Sequence, residues 1–183
     1  MKSQENNLNF NFIPWVNIGI YKTQLLNLDL KYWVEKLYSY QNVISTEIKS
    51  NDSGYQSNSK IHLNPDFFPL VTIVNKAFQS IFSNPNKQIN AMWFNISPFG
   101  AFNHIHTHFS PYSHPEMTYS GVLYLKVPKN SGNINFFSPI ELNERRTIIP
   151  QEKDILIFPS IFPHSVNPNL SQEDRISIAF NFN

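Results

Sequence analysis

Two stretches in the N-terminal half carry apolar residues at the period of a helix. In LDLKYWVEKLYSYQN (28–42) they fall at Leu30, Trp33, Val34, Leu37 and Tyr38, three and four positions apart, so one helical face collects them. Asp29 stands just before that run, where a carboxylate can accept from the unpaired backbone N–H groups of a first turn, and is expected to be the N-cap. PDFFPLVTIVNKAFQSIFS (65–83) repeats the pattern with Leu70, Ile73, Val74, Ala77, Phe78 and Ile81 on one face, and Pro69 sits early enough to be tolerated. KSNDSGYQSNSK (49–60), between them, is polar and turn-rich and is expected to be a loop. Ahead of both, FNFIPWVNIGIYK (10–22) reads as an early strand, its Pro14 marking an edge or a bend.

From about residue 86 the texture changes to short β-rich runs: INAMWFNIS, FNHIHTH, TYSGVLYLKVP, GNINFFSP, RRTIIP, DILIFPS, PHSVNP and RISIAFNFN. Turn residues separate them at intervals of roughly 8 to 12 residues, the rhythm of a sandwich or barrel. Two helices followed by about eight strands predict a mostly β fold with N-terminal helices, a double-stranded β-helix (jelly roll) whose helices pack on one face. No internal repeat or second texture divides the chain, so residues 1–183 are read as a single domain.

Composition narrows the function classes. Hydrophobic residues make up 41% and charged residues 15%, and sixteen Phe and eight Tyr stand against five Gly, which suits an aromatic, sheet-rich core. The formal net charge is +1 with no Lys/Arg block, which argues against nucleic acid or an anionic membrane as the main partner. With no cysteine, disulfides, thiolate metal sites and Cys nucleophiles are excluded. The start, MKSQENNLNFNF, has no apolar h-region, and no apolar run approaches the roughly 18 residues of a membrane span, so a soluble cytoplasmic protein is expected.

The candidate chemistry is concentrated in NHIHTHFSPYSH (103–114), which holds four of the six histidines. On a continuous strand His104, His106 and His108 would all point one way, and an i, i+2 pair of imidazoles is a natural chelate for a first-row metal. Alternation alone leaves the three equal. A further ligand must come from His62, His114 or His164, and His164 follows the apolar strand DILIFPS, where a neighbouring strand could bring it across. In RISIAFNFN, Ile176, Ile178 and Phe180 share one face while Arg175, Ser177 and Ala179 share the other, so a guanidinium and a hydroxyl could grip a carboxylate together.

These stretches resemble the Fe(II)- and 2-oxoglutarate-dependent oxygenases, and more narrowly the small uncharacterised 2OG-Fe(II) oxygenase branch of bacteria and phages. WFNISPFGAFNHIHTH, SGVLYLKVP, GNINFFSP, ILIFPSIFPHSVNP and RISIAFNFN carry the resemblance, with SNDSGYQS similar to that branch's loop before the second helix. The superfamily usually holds iron with His-x-Asp/Glu and a distal His, whereas this branch more often reads N-x-x-H-x-H. Asn103 matches that Asn, a register that selects His106 and His108 with His164 as the distal ligand and leaves His104 outside. Arg175 and Ser177 match the family's R-x-S, which binds the C5 carboxylate of 2-oxoglutarate, and Asn95 and Tyr124 become further cosubstrate contacts.

The resemblance thus implies a non-haem dioxygenase using Fe(II), 2-oxoglutarate and O2 that hydroxylates a C–H bond of an amino-acid, peptidyl (for instance prolyl) or small-metabolite substrate and releases succinate and CO2. Residues 1–86 would give helical support and a substrate-side loop, and 87–183 the β core with the metal. Tyr55, Gln56, Tyr112 and Tyr119 are the expected substrate contacts, and a homodimer is a compatible assembly. The departure is position 108, where a histidine replaces the usual carboxylate; Glu116 could substitute from the segment that follows. A cupin shares much of the pattern: Gly100, His106 and His108 fit its first motif with Glu116 late, and Pro159 and His164 its second with Ile161 in place of glycine. That reading gives a three-His dioxygenase or isomerase and no task for Arg175 and Ser177. A metal-free jelly-roll binding module is the third.

Overall fold

In the computed structural model, residues 19–47, 49–82, 87–114, 116–139 and 144–183 are described. The chain runs β1 (Tyr21–Gln24), α1 (Leu30–Gln41), β2 (Asn51–Asp52), β3 (Tyr55–Gln56), α2 (Phe68–Ile81), β4 (Ile89–Ser97), β5 (Phe102–His106), β6 (Tyr119–Lys126), β7 (Ile134–Phe137), β8 (Arg145–Ile148), β9 (Asp154–Pro159), β10 (His164–Val166) and β11 (Arg175–Phe182). Both helices form where the 3.6-residue pattern places them. Asp29 caps α1, its Oδ1 accepting from the Tyr32 N–H at 3.0 Å. The Pro65–Phe67 segment is a 3-10 turn capped by Asn64, and it leads directly into α2. Each of the eight β-rich runs contributes one of β4 to β11.

Two sequence expectations shift. The early strand exists only as β1, while Pro14 and the rest of residues 10–18 lie outside the described residues. The 49–60 segment is more than a loop: β2 pairs with β5 and β3 pairs with β4, so this polar stretch stitches an edge onto each sheet. Two-residue strands carry too few apolar residues to announce themselves by period.

The strands form two antiparallel sheets. The larger has the order β1-β9-β6-β11-β4-β3 and the smaller β2-β5-β10-β7-β8. From β4 onward the chain crosses repeatedly between them, with β5, β7, β8 and β10 in the small sheet and β4, β6, β9 and β11 in the large one. Alternation along β11 divides the core. Ile176, Ile178 and Phe180, none measurably exposed, pack with Met92, Phe94, Leu123 and Ile157 in one cluster with Trp33 and Leu37 of α1 and Leu70, Val74 and Phe78 of α2. A smaller cluster of Tyr124, Leu156 and Phe158 from the large sheet with Ile134 and Phe136 from the small one fills one end of the space between the sheets. The remainder of that space is lined by polar side chains interleaved with Trp93, Val122, Val166 and Ala179.

Candidate active site

A bulge in β5 sets the direction of the histidines. Opposite β10, His106 faces His164 and Asn103 faces Val166, so two residues of β5 (His104 and Ile105) stand against the single Ser165. One extra residue reverses the alternation. Asn103 and His106, three apart, therefore line the same cavity, and His104 turns away to meet Phe102 edge to face (4.7 Å between centroids) with its Nε2 3.5 Å from the Asp52 carboxylate. Unbroken alternation, which had made His104, His106 and His108 equivalent, does not survive the bulge. β5 also ends at His106, and His108 lies beyond it, its backbone N–H donating to the Ser160 carbonyl at 3.0 Å.

His106, His108 and His164 converge, one ring nitrogen from each lying within 4.8 Å of the others. The rings contact one another at centroid separations of 4.3 to 5.1 Å and are walled by Trp93, Phe136 and Phe158. The His106 Nδ1–H is positioned to donate to the His104 carbonyl (2.7 Å) and the His164 Nδ1–H to the Phe162 carbonyl (3.0 Å). That tautomer leaves Nε2 of each with a lone pair, the form a metal ligand needs. Burial pushes the His164 pKa down to about 3, with the neighbouring His106 adding to the effect. Burial also lowers His106, and it holds His108 well below the usual histidine range, with help from His164, His106 and Lys49. All three are neutral at pH 7. Glu116 is not among them: it pairs with His114 at 3.7 Å in the segment after β5. His62 lies on the 3-10 turn Ile61–Leu63, apart from the cluster.

Beside the histidines, four polar side chains form one row across the large sheet. The register places Gln56 of β3 opposite Asn95 of β4, Asn95 opposite Ser177 of β11, and Ser177 opposite Tyr124 of β6. All four line the inner cavity, about 560 Å³ of empty space with its mouth included, together with Arg175, Ser50 and the three histidines. Arg175 is 3% exposed, and among the described residues no carboxylate lies within 4.0 Å of it. Its Nη1 donates to the carbonyls of Ser131 and Asn167, which fixes one edge of the guanidinium. Burial works against its charge and Tyr124 works for it, while burial raises the Tyr124 hydroxyl above the usual tyrosine range. The Asn95 Oδ1 is buried without a hydrogen-bond partner among the described residues. A buried cation without an anion and an orphaned acceptor, in one cavity, are costly unless a ligand completes them.

A second, outer cleft of about 1080 Å³ opens from His106 and His108 past Trp93, Gln56, Lys49 and Met117. Of the expected substrate contacts only Gln56 lines it. Tyr55, its neighbour on β3, points the other way, stacking on Phe94 and donating to the Ile44 carbonyl at 2.7 Å. Tyr119 packs on Phe78 and Phe82 beneath the helices, and Tyr112 is 97% exposed. Aromatic character does not tell the two faces of the large sheet apart: Tyr55 and Tyr119 face the helix side, while Trp93 and Tyr124 face the cavity. Ser50 was not anticipated: its Oγ lies 3.4 Å from His106 Nε2 and accepts from Asn103 Nδ2 at 3.3 Å. Only the pairing of β2 with β5 brings it there, and no sequence period encodes that.

Residues 91–181 match the model of the family described as "Putative 2OG-Fe(II) oxygenase". The β core belongs to the 2OG-Fe(II) oxygenase family. This family of oxidoreductases takes iron and 2-oxoglutarate as cofactor and cosubstrate, and the three clustered histidines could bind iron. No curated protein matches the chain by sequence. Among solved structures it is similar to a 2OG-Fe(II) oxygenase family oxidoreductase from Burkholderia pseudomallei (TM-score 0.68, 13% identity, covering 90% of this chain and 85% of that one). It is similar also to a prolyl-4-hydroxylase from Pseudomonas putida (0.65, 16%, 90% and 92%). A third is HygX from Streptomyces hygroscopicus, solved with nickel and 2-oxoglutarate bound (0.67, 11%, 90% and 82%). At these identities the likeness establishes the fold.

Proposed function

We propose that the chain is an Fe(II)- and 2-oxoglutarate-dependent hydroxylase, a single domain of double-stranded β-helix type with its helices on the outer face of the large sheet. His106, His108 and His164 are the metal ligands in this reading, and Arg175, Ser177, Tyr124 and Asn95 receive 2-oxoglutarate. The observation that carries it is Arg175, a buried guanidinium with no carboxylate partner, sharing a cavity with three neutral imidazoles. A dianion with a carboxylate at each end answers both needs, one end for the guanidinium and the other for the metal. A cupin reading leaves Arg175 and Ser177 idle, and a metal-free module leaves the convergent lone pairs unexplained.

When bound, iron with 2-oxoglutarate and O2 supplies oxidation of a C–H bond to C–OH, with one oxygen atom going to the product and the other to succinate as CO2 leaves. The protein's part is positioning. The carbonyls of His104 and Phe162 hold two imidazoles in the ligating tautomer, while Trp93, Phe136 and Phe158 keep water from their flanks. Arg175 and the Ser177 hydroxyl fix the far carboxylate, so the cosubstrate's other end is directed to the histidines. Three neutral ligands would leave a bound metal one charge more positive than the usual triad does. The test is anaerobic Fe(II) titration with a readout of succinate under O2. His164→Ala should abolish both metal binding and succinate release, and His104→Ala should retain both. Full turnover in the His164 variant would defeat the assignment.

A further inference from the structure

Gln56 stands where the inner cavity meets the outer cleft, and it lines both. It is 3% exposed as a residue, and its carboxamide, which is not among the buried polar atoms left without a partner, opens onto the space of the two cavities. Its backbone is fully engaged, since its carbonyl accepts from the Glu47 N–H at 2.8 Å and its strand pairs with β4 at Asn95. A primary amide offers two donors and an acceptor with two lone pairs, and facing that space they are available to a ligand. Asn95 beside it faces only the inner cavity. Gln56 is the member of the polar row that reaches toward the outer cleft.

The charges around that cleft restrict what Gln56 can meet. Among the described residues no carboxylate lines it, and the carboxylates of Glu47, Asp52 and Glu116 already face its Lys49, His104 and His114. Its one cation outside the histidines is Lys49, whose ammonium is already 2.9 Å from the Glu47 carboxylate. A free amino acid would bring two charges into a cleft that answers neither, at a cost well above that of an uncharged group. The remaining walls are apolar (Ala91, Trp93, Ile105, Met117) or polar and uncharged (Ser50, Ser59, Thr107, Asn181), which suits an uncharged chain with hydrogen-bonding groups.

Building on the inner cavity as metal and cosubstrate site, we infer that the substrate is an uncharged amide-bearing chain, a peptide or an N-acylated residue, with one amide read by Gln56. The substrate N–H donates to Gln56 Oε1 and its carbonyl accepts from Nε2, which sets the neighbouring C–H groups beside His106 and His108. Gln56 is thus a specificity residue for amides over free amino acids.

The test uses capped tripeptides, N-acetyl-Ala-Xaa-Ala-amide with each of the common residues at Xaa, against the same free amino acids. Binding is followed by saturation-transfer NMR and calorimetry, both on metal-free protein and on protein loaded with zinc and 2-oxoglutarate, so that no turnover occurs. Members of the capped set should bind and the free amino acids should not. Gln56→Leu should weaken the best capped peptide roughly three- to tenfold, the scale of one or two neutral hydrogen bonds, while 2-oxoglutarate affinity stays unchanged. Free amino acids binding as tightly, no capped peptide binding at all, or a Gln56→Leu loss confined to 2-oxoglutarate would each overturn the inference. Peptide binding to a protein that takes up neither zinc nor 2-oxoglutarate would instead sustain it and sink the cosubstrate reading.

Discussion

If Arg175 receives the far carboxylate of 2-oxoglutarate, truncating both partners isolates that one contact. The guanidinium is 3% exposed, one edge is spent on the Ser131 and Asn167 carbonyls, and no carboxylate of the described residues balances it. What remains for the ligand is a charge-assisted contact in a desolvated place, worth roughly 1.5–3 kcal/mol, or about 10- to 150-fold in affinity. 2-Oxobutyrate keeps the keto acid end and lacks the C5 carboxylate. In zinc-loaded wild type it should therefore bind 2-oxoglutarate's site about 10- to 150-fold more weakly than 2-oxoglutarate does. In Arg175→Met the two should bind within a few-fold of each other, because the discriminating partner is gone.

The difference between the two ratios is a coupling energy that cancels general damage to the cavity, which a single affinity cannot do. Calorimetry on the four combinations, with metal affinity measured alongside, gives every value. Arg175→Lys should fall between, since it keeps the charge and loses the planar fork. Should Arg175→Met weaken both keto acids equally, the arginine is a structural post for the turn at Ser131 and the cosubstrate reading fails.

Two further expectations follow from neighbouring contacts. Gly132 has φ +93°, and a Cβ there would lie 2.2 Å from the Asn167 carbonyl and 2.8 Å from Arg175 Nη1; Gly132→Ala should displace the arginine and weaken 2-oxoglutarate while sparing zinc, and a folded variant with wild-type 2-oxoglutarate affinity would count against that chain of contacts. Tyr38 on α1 donates to Asp174 Oδ2 at 2.7 Å, and burial first, then that carboxylate, push its pKa up to about 12 from an unfolded value near 10. Its contribution is therefore whole below pH 10 and lost as pH rises toward 12. Tyr38→Phe should cost about 1 kcal/mol at pH 7 by urea melt and flatten the alkaline decline; an unchanged alkaline limb would refute the linkage.

How far the sequence carried depended on whether a feature is periodic. α1 and α2 repeat an apolar spacing, and β4, β6, β9 and β11 carry apolar runs or alternation, and each appeared where that pattern put it. The same alternation placed Arg175 and Ser177 on the face away from Ile176 and Ile178, which is the cavity face. What failed was aperiodic. β2 and β3 are two residues long, Tyr55 and Tyr119 turned toward the helices, and strand alternation by itself would have left His104 beside His106.

The β5 bulge shows why the motif works only as a whole. Asn103 and His106 are an odd number of residues apart, so on a regular strand one would face the cavity and the other the solvent. The extra residue opposite Ser165 brings both inward, and it is also what throws His104 out against Asp52. The N-x-x-H spacing therefore encodes a bulge, with the asparagine side chain tied to Ser50 Oγ, which also lies 3.4 Å from His106 Nε2. His108 follows from the same device at one remove. Released from β5, its backbone is taken up by the Ser160 carbonyl, just past the end of β9 in the other sheet, and its ring reaches His164 from outside the strand. Three histidines that a regular strand would have scattered or stacked are brought to one point by a single inserted residue and one cross-sheet hydrogen bond.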